Sequence, residues 1–265
     1  GDLANRFLSH TWEITNTILV FMVVAMVGLF PGAAYTLGTM MLIPVSLILL
    51  LITIRSTFMV IAYSLEGLRK ALRIVAGVTG ILVPTLLISA LPVTEGGLVE
   101  VRNGVPTLLI GDWITSPAVY LYMLFGLTSA LFLSAVFLAD YSYESDDRKA
   151  YHAYRRNALI IGPLSLISAM LVLIFLEPEA QWLYQKLLSY LPWFIASLLA
   201  FLAAYISLFL PAKKKQFTLG RPRPAVLFVA LQYLLASFAY GNAHLPYLVY
   251  PILTVEDAFT NVNTF

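Results

Sequence analysis

Long apolar runs fill this chain, and short polar clusters punctuate them. Seven stretches, near 10–30, 39–65, 71–91, 117–139, 157–176, 187–210 and 224–241, are long and apolar. A helix needs roughly 20 such residues to cross bilayer hydrocarbon, at about 1.5 Å rise each. The pattern predicts an all-α fold: a polytopic transmembrane helix bundle of seven spans, with residues 1–265 forming a single integral membrane domain. The uncharged segment 31–38 (PGAAYTLG) reads as a loop. The longest outer loop contains LVEVRNGVPTLLI, where Asn103-Gly104 separates two β-prone stretches and predicts a short hairpin with a tight turn. Pro44, Pro84, Pro163 and Pro192 fall inside apolar runs. In a bundle such prolines kink helices, and neighbouring groups satisfy the freed carbonyls.

Composition agrees with the pattern. The chain is 60% hydrophobic and only 11% charged, against about 25% charged in soluble domains. Too few charges remain to cover a water-facing surface. Charge distribution then sets orientation. Thirteen of the sixteen Lys and Arg residues fall in the N-terminal segment and in alternate loops, around 69–73, 148–156 and 213–223. The intervening loops carry only Arg102 and Lys186, and Arg55 sits inside an apolar run. Basic loops face the cytoplasm, which places the N-terminus of this chain inside and its C-terminal end outside. The basic residues are spread among loops rather than gathered on one face, so no nucleic-acid partner is expected. The absence of cysteine excludes disulfides, thiolate clusters and Cys nucleophiles. Trp113, Tyr120, Tyr122, Trp182, Tyr184, Tyr190 and Trp193 cluster at outer helix ends, and Tyr141, Tyr143, Tyr151 and Tyr154 at inner ones. Both groups read as interfacial belts.

Candidate chemistry lies in the few intramembrane polar residues. The fully apolar part of the first span, 18–30, is too short to cross alone, so the helix must reach back over Glu13 and Asn16. Helical spacing puts Glu13, Asn16 and Thr17 on one face. Such a stripe should face protein or water rather than lipid. A carboxyl in a low-dielectric site has raised proton affinity and can relay protons. The alternative is structural: Glu13 in a first helical turn, favoured by the helix dipole and reached by interfacial water. Arg55 also lies in the cytoplasmic half of its span. It must pair, with Glu13 as the candidate, or reach the headgroups along its own stem. Asp140 and Glu66 close inner helix ends, and Asp140 is a candidate for the point where protons enter. Of the three histidines, His10 and His152 fall at cytoplasmic segments and His244 near the outer surface, so no bis-His haem site or metal site is expected in this chain.

The stretch TWEITNTILVFMVVAMVGLFPGAAYTLGTMMLIPVSLILLLITIRS resembles the second and third helices of subunit II of cytochrome bd quinol oxidase. The shared marks are Trp12-Glu13 with Asn16, Phe30-Pro31, Tyr35, Pro44 and Arg55. The tail YPILTVEDAFTNVNTF resembles that family's outer segment before its last helix, whereas 67–220 matches mainly in helix spacing. The likeness is greatest to the Gram-positive type. The resemblance implies a bacterial plasma-membrane complex that oxidises quinol and reduces dioxygen to water. In it a haem-bearing subunit I holds two b-type haems, one d-type haem and the quinol, and subunit II holds no haem. A small single-helix subunit and membrane lipid are further expected partners. The resemblance also places Glu13 on the proton path, with Trp12, Asn16 and Arg55 as its neighbours. Family members begin with a further helix and end with another. This chain begins at Gly1 and stops at Phe265, so it is expected to be a trimmed form. Where many relatives have an acidic-aromatic run after the arginine, this chain has Ser56-Thr57-Phe58-Met59-Val60, and no role of that run carries over. The reading from another class is a stand-alone secondary transporter. It would need Gly/Pro interruptions in matched repeats, and no internal repeat is visible.

Overall fold

The computed structural model describes residues 17–64, 69–212, 217 and 219–258. Among them, five helices are long and apolar enough to cross a membrane, or seven if each of two broken helix pairs counts as one span. The chain is thus an all-α integral membrane bundle. The residues cluster into two compact units, one comprising 1–29 and 128–246 and the other 30–127 and 247–265.

The second unit begins with α2 (Pro31–Met40) and α3 (Leu42–Ser64). Segment 31–38, expected as a loop, is helical instead. Pro31 sits in the first turn, where its missing N–H costs nothing. α4 (Arg69–Ile88) packs on α3 and carries Pro84 internally, and the short α5 (Leu91–Thr94) follows. The expected hairpin forms from β1 (Val99–Arg102) and β2 (Val105–Leu108), antiparallel with Arg102 opposite Val105. Asn103 and Gly104 have φ of 53° and 78°, so both turn residues adopt the left-handed conformation that a two-residue primed turn requires. α6 (Ile110–Thr115) leads into α7 (Pro117–Glu144), whose first turns belong to this unit. A second, unexpected hairpin, β3 (Tyr247–Val249) with β4 (Leu253–Thr254), and the turn α12 (Val255–Ala258) complete it. The unit's core gathers Ala33, Met40, Val93, Trp113, Val119, Val249 and Leu253. Gly32 allows close approach there, since a Cβ would lie 3.2 Å from the carbonyl oxygens of Asp257 and Ala258.

In the first unit, α1 (Thr17–Leu29) presents exposed apolar side chains along its length, with Phe21 at 70% exposure. After α7 come α8 (Arg148–Glu179), α9 (Gln181–Ser189), α10 (Leu191–Ser207) and α11 (Pro222–His244). Helices α7 and α8 outrun their apolar stretches because nothing in their charged ends breaks the backbone ladder. Asp147 caps α8, its side chain accepting from the Ala150 N–H at 3.0 Å. α9 and α10 meet at 74°, and Pro192 stands in the first turn after that break. Pro44 likewise sits in the first turn of α3. Of the four prolines expected to kink helices, only Pro84 and Pro163 lie in helix interiors, and Pro178 joins them near the end of α8. The core centres on Phe132, Val136, Ala158, Phe201, Leu208 and Val229.

The aromatic belts hold only in part. Tyr120 and Trp193 are exposed, whereas Trp113 and Tyr122 are buried. Tyr143 and Tyr151 are buried too, and they pack with Phe217 at ring-centre distances of 4.6 and 4.8 Å. The Tyr151 hydroxyl donates to the Leu219 carbonyl at 2.8 Å, which ties α8 to the segment before α11. Amphipathic rings near a helix end suit an interface or a tertiary contact equally, and the sequence does not choose between them.

Candidate functional site

Arg55 is half-buried in α3, within a helix that is otherwise apolar around its whole circumference apart from its hydroxyls. Its guanidinium lies against α4, where a Cβ on Gly80 would come 3.4 Å from Arg55 Cζ and Nε. The planar group thus packs beside the α4 backbone at Gly80, at a spacing that would also accept a methyl group. The neighbouring Thr79 is buried, and its hydroxyl turns back to its own helix, donating to the Val75 carbonyl at 2.9 Å. No described carboxylate pairs with Arg55 among the described residues. The expected partner, Glu13, lies outside the described residues, as do Trp12, Asn16 and Glu66. Thr17, the third member of the expected polar stripe, is the first residue of α1 and is exposed.

Asp140 stands near the basic end of α7. Arg223 Nε, from the first turn of α11, lies 3.1 Å from Asp140 Oδ1 and 3.0 Å from Oδ2. The Asp140 side chain is 14% exposed and that of Arg223 62% exposed. The carboxylate is thus covered by protein while its cation reaches solvent. The pair forms a clamp between α7 and α11.

Two polar arrangements escaped the sequence reading. The first is a hydroxyl seam in the first unit. Thr128 and Ser168 side chains lie 2.9 Å apart, and those of Ser129 and Ser165 3.1 Å apart, joining α7 to α8. The Tyr233 hydroxyl donates to the Ser129 carbonyl at 3.3 Å, and Ser197 Oγ donates to the Gln232 carbonyl at 3.0 Å, bringing in α11 and α10. A signal existed: Gly162, Ser165 and Ser168 recur every third residue on α8. Small residues at that spacing let membrane helices approach and hydrogen-bond across the contact. The second arrangement is Glu95, only 5% exposed, which accepts a hydrogen bond from the hydroxyl of buried Tyr122 in the second unit. Nothing local distinguishes Glu95 from the solvated loop acids near it.

The described histidines do not make a haem site. His152 is one turn into α8 at the basic end, and His244 closes α11, a helix of 23 residues that rises away from that end. At 1.5 Å per residue the two lie on the order of 30 Å apart. Among the described residues, no group of three His, Cys, Asp or Glu stands close enough together to hold a metal ion.

A sequence model of the family described as "Cytochrome bd terminal oxidase subunit II" matches residues 1–265. The chain belongs to that family. A Bacillus subtilis (strain 168) protein named as a cytochrome bd menaquinol oxidase subunit II is 46% identical over 264 residues, covering 100% of this chain and 76% of the relative. The solved structure of bd oxidase from Geobacillus thermodenitrificans contains a similar chain, with a TM-score of 0.80 and 34% identity. That match covers 97% of this chain and 76% of the other. The chain is therefore a membrane subunit of a quinol oxidase, an oxidoreductase complex, as the resemblance implied. Nothing in these matches supports the transporter alternative. In this subunit II, Arg55 is a cation within a helix long and apolar enough to cross a membrane, and ionisable groups so placed are the first candidates for function.

Proposed function

We propose that this chain is the haem-free brace and proton supply of its oxidase. It supports a haem-bearing subunit I, which holds two b-type haems, one d-type haem and the quinol, with a small single-helix subunit as a further partner. Residues 1–265 act as one integral domain of the bacterial plasma membrane, N-terminus cytoplasmic and C-terminal end outside. Glu13, Asn16 and Thr17 line the proton path, Trp12 and Arg55 flank it, and Asp140 marks a point where protons enter. The B. subtilis relative is named for menaquinol, which favours a quinol of that kind as electron donor.

The whole-length family match carries the oxidase reading. The proton path is supported by the physical cost of its parts. An arginine at the centre of a membrane helix costs about 2.5–3.5 kcal/mol even on a mild insertion scale. Arg55 is nevertheless held against α4 at a glycine, and an anionic partner such as Glu13 offsets that cost. The test uses the purified complex. Its optical spectrum should show the haems of the partner subunit, and Glu13→Gln should slow oxygen reduction while leaving that spectrum intact. A complex without pigment would sink the oxidase role. Full turnover in the variant would leave the brace and remove the relay.

A further inference from the structure

α8 is 32 residues long, about 48 Å, whereas bilayer hydrocarbon is about 30 Å thick. Its charge-free stretch covers 157–176, so the turn holding residues 152–156 stands just beyond the apolar slab, at headgroup depth. On that turn lies a cavity of about 480 Å³ lined by His152, Ala153, Arg155, Arg156 and Leu159. Among the described residues its wall holds two guanidiniums and an imidazole and no carboxylate.

Arg155 is already set in place. Its Nε donates to the Leu208 carbonyl at the end of α10 at 2.8 Å, and its Cζ lies 5.8 Å from the centre of the Phe209 ring. One donor of the fork is thereby used to fix the plane, and the terminal nitrogens remain for a ligand. Arg156 is exposed beside it. Leu159, nearest the charge-free stretch, gives the cavity its apolar side, and the exposed Phe209 ring lies beside Arg155.

We infer that this pocket binds the headgroup of an anionic phospholipid. Arg155 and Arg156 grip the phosphodiester, His152 hydrogen-bonds to it, and the first acyl carbons lie on Leu159. Planar guanidinium forks match phosphate oxygens in pairs, and basic pockets at this depth recruit anionic headgroups. The apolar edge favours a lipid over a free anion, since only a lipid has a chain to place there. The inference stands whichever way the chain crosses the membrane, because it needs only a leaflet at the basic end of α8.

The test is lipid titration of the delipidated, purified complex, read by native mass spectrometry. The probes are phosphatidylglycerol, phosphatidylcholine and inorganic phosphate. Phosphatidylglycerol should bind to one high-affinity site, phosphatidylcholine only weakly, and inorganic phosphate should not displace the lipid at equal concentration. The double variant His152→Gln/Arg156→Gln, which spares the Arg155–Leu208 bond, should lose about ten-fold in phosphatidylglycerol affinity, with phosphatidylcholine binding unchanged. A photoactivatable phosphatidylglycerol should label segment 148–160. Equal affinity of wild type and variant, displacement by phosphate alone, or labelling elsewhere with 148–160 covered by another subunit would each overturn the inference.

Discussion

The two units handle intramembrane polarity in opposite ways. In the first, the described helix contacts are bridged by neutral hydroxyls: Thr128 with Ser168, Ser129 with Ser165, and Ser197 with the Gln232 backbone. In the second, α3 carries a full charge, Arg55, pressed on a glycine face with no described carboxylate beside it. Hydroxyl pairs are a cheap adhesive between membrane helices, worth about 0.6 kcal/mol each on average. A charge is a poor adhesive, because its desolvation exceeds what packing returns. A group that burdens the fold and is nonetheless retained points toward work done for the complex, and a group that merely satisfies its neighbour points toward stability.

That contrast can be broken by mutation. The largest effect is expected at Glu13, where loss of a proton-relaying carboxyl in Glu13→Gln should cut turnover by about 100-fold. Stopped-flow or electrode measurement of oxygen uptake would show it, and an unchanged rate would remove the relay and leave Arg55 without its proposed functional partner. Next is Arg55→Leu. It should slow turnover by about ten-fold yet leave thermal stability equal or higher, since a charge in a membrane helix costs up to about 2.5–3.5 kcal/mol, the figure for the helix centre. A sharp fall in stability instead would make Arg55 structural. The paired change Ser129→Ala/Ser165→Ala should do the reverse. It should lower the stability of the complex in detergent by about 0.6–1.7 kcal/mol with oxygen uptake unaffected, and a slower rate would mean the seam carries protons. Smallest is Asp140→Asn. Its partner Arg223 is 62% exposed and solvent-screened, so the stability loss should stay under about 1 kcal/mol. A kinetic defect well beyond that would favour Asp140 as a point of proton uptake.

Much of the fold was legible in the chain because a bilayer permits few alternatives. Apolar length and the Asn103-Gly104 turn each have one dominant structural meaning there: five expected spans are single long helices, 187–210 is a bent pair, and the β1–β2 hairpin formed. Segment 31–38 did not, because lack of charge and a leading proline suit both a loop and the start of a helix. The belt reading of Tyr143 and Tyr151 failed for a related reason: a ring near a helix end has no sequence mark to say whether a neighbour such as Phe217 will cover it.

The sequence by itself determined that this is a membrane bundle, which loops are basic, and that a charge at position 55 falls inside an apolar run long enough to span, since all three follow from composition and spacing along one dimension. Tertiary structure alone decided that Arg55 rests on Gly80, that Asp140 is clamped by Arg223, and that Ser129 meets Ser165. Those contacts join residues 25 to 83 positions apart, and partners across such separations are chosen by helix packing, which no local pattern encodes.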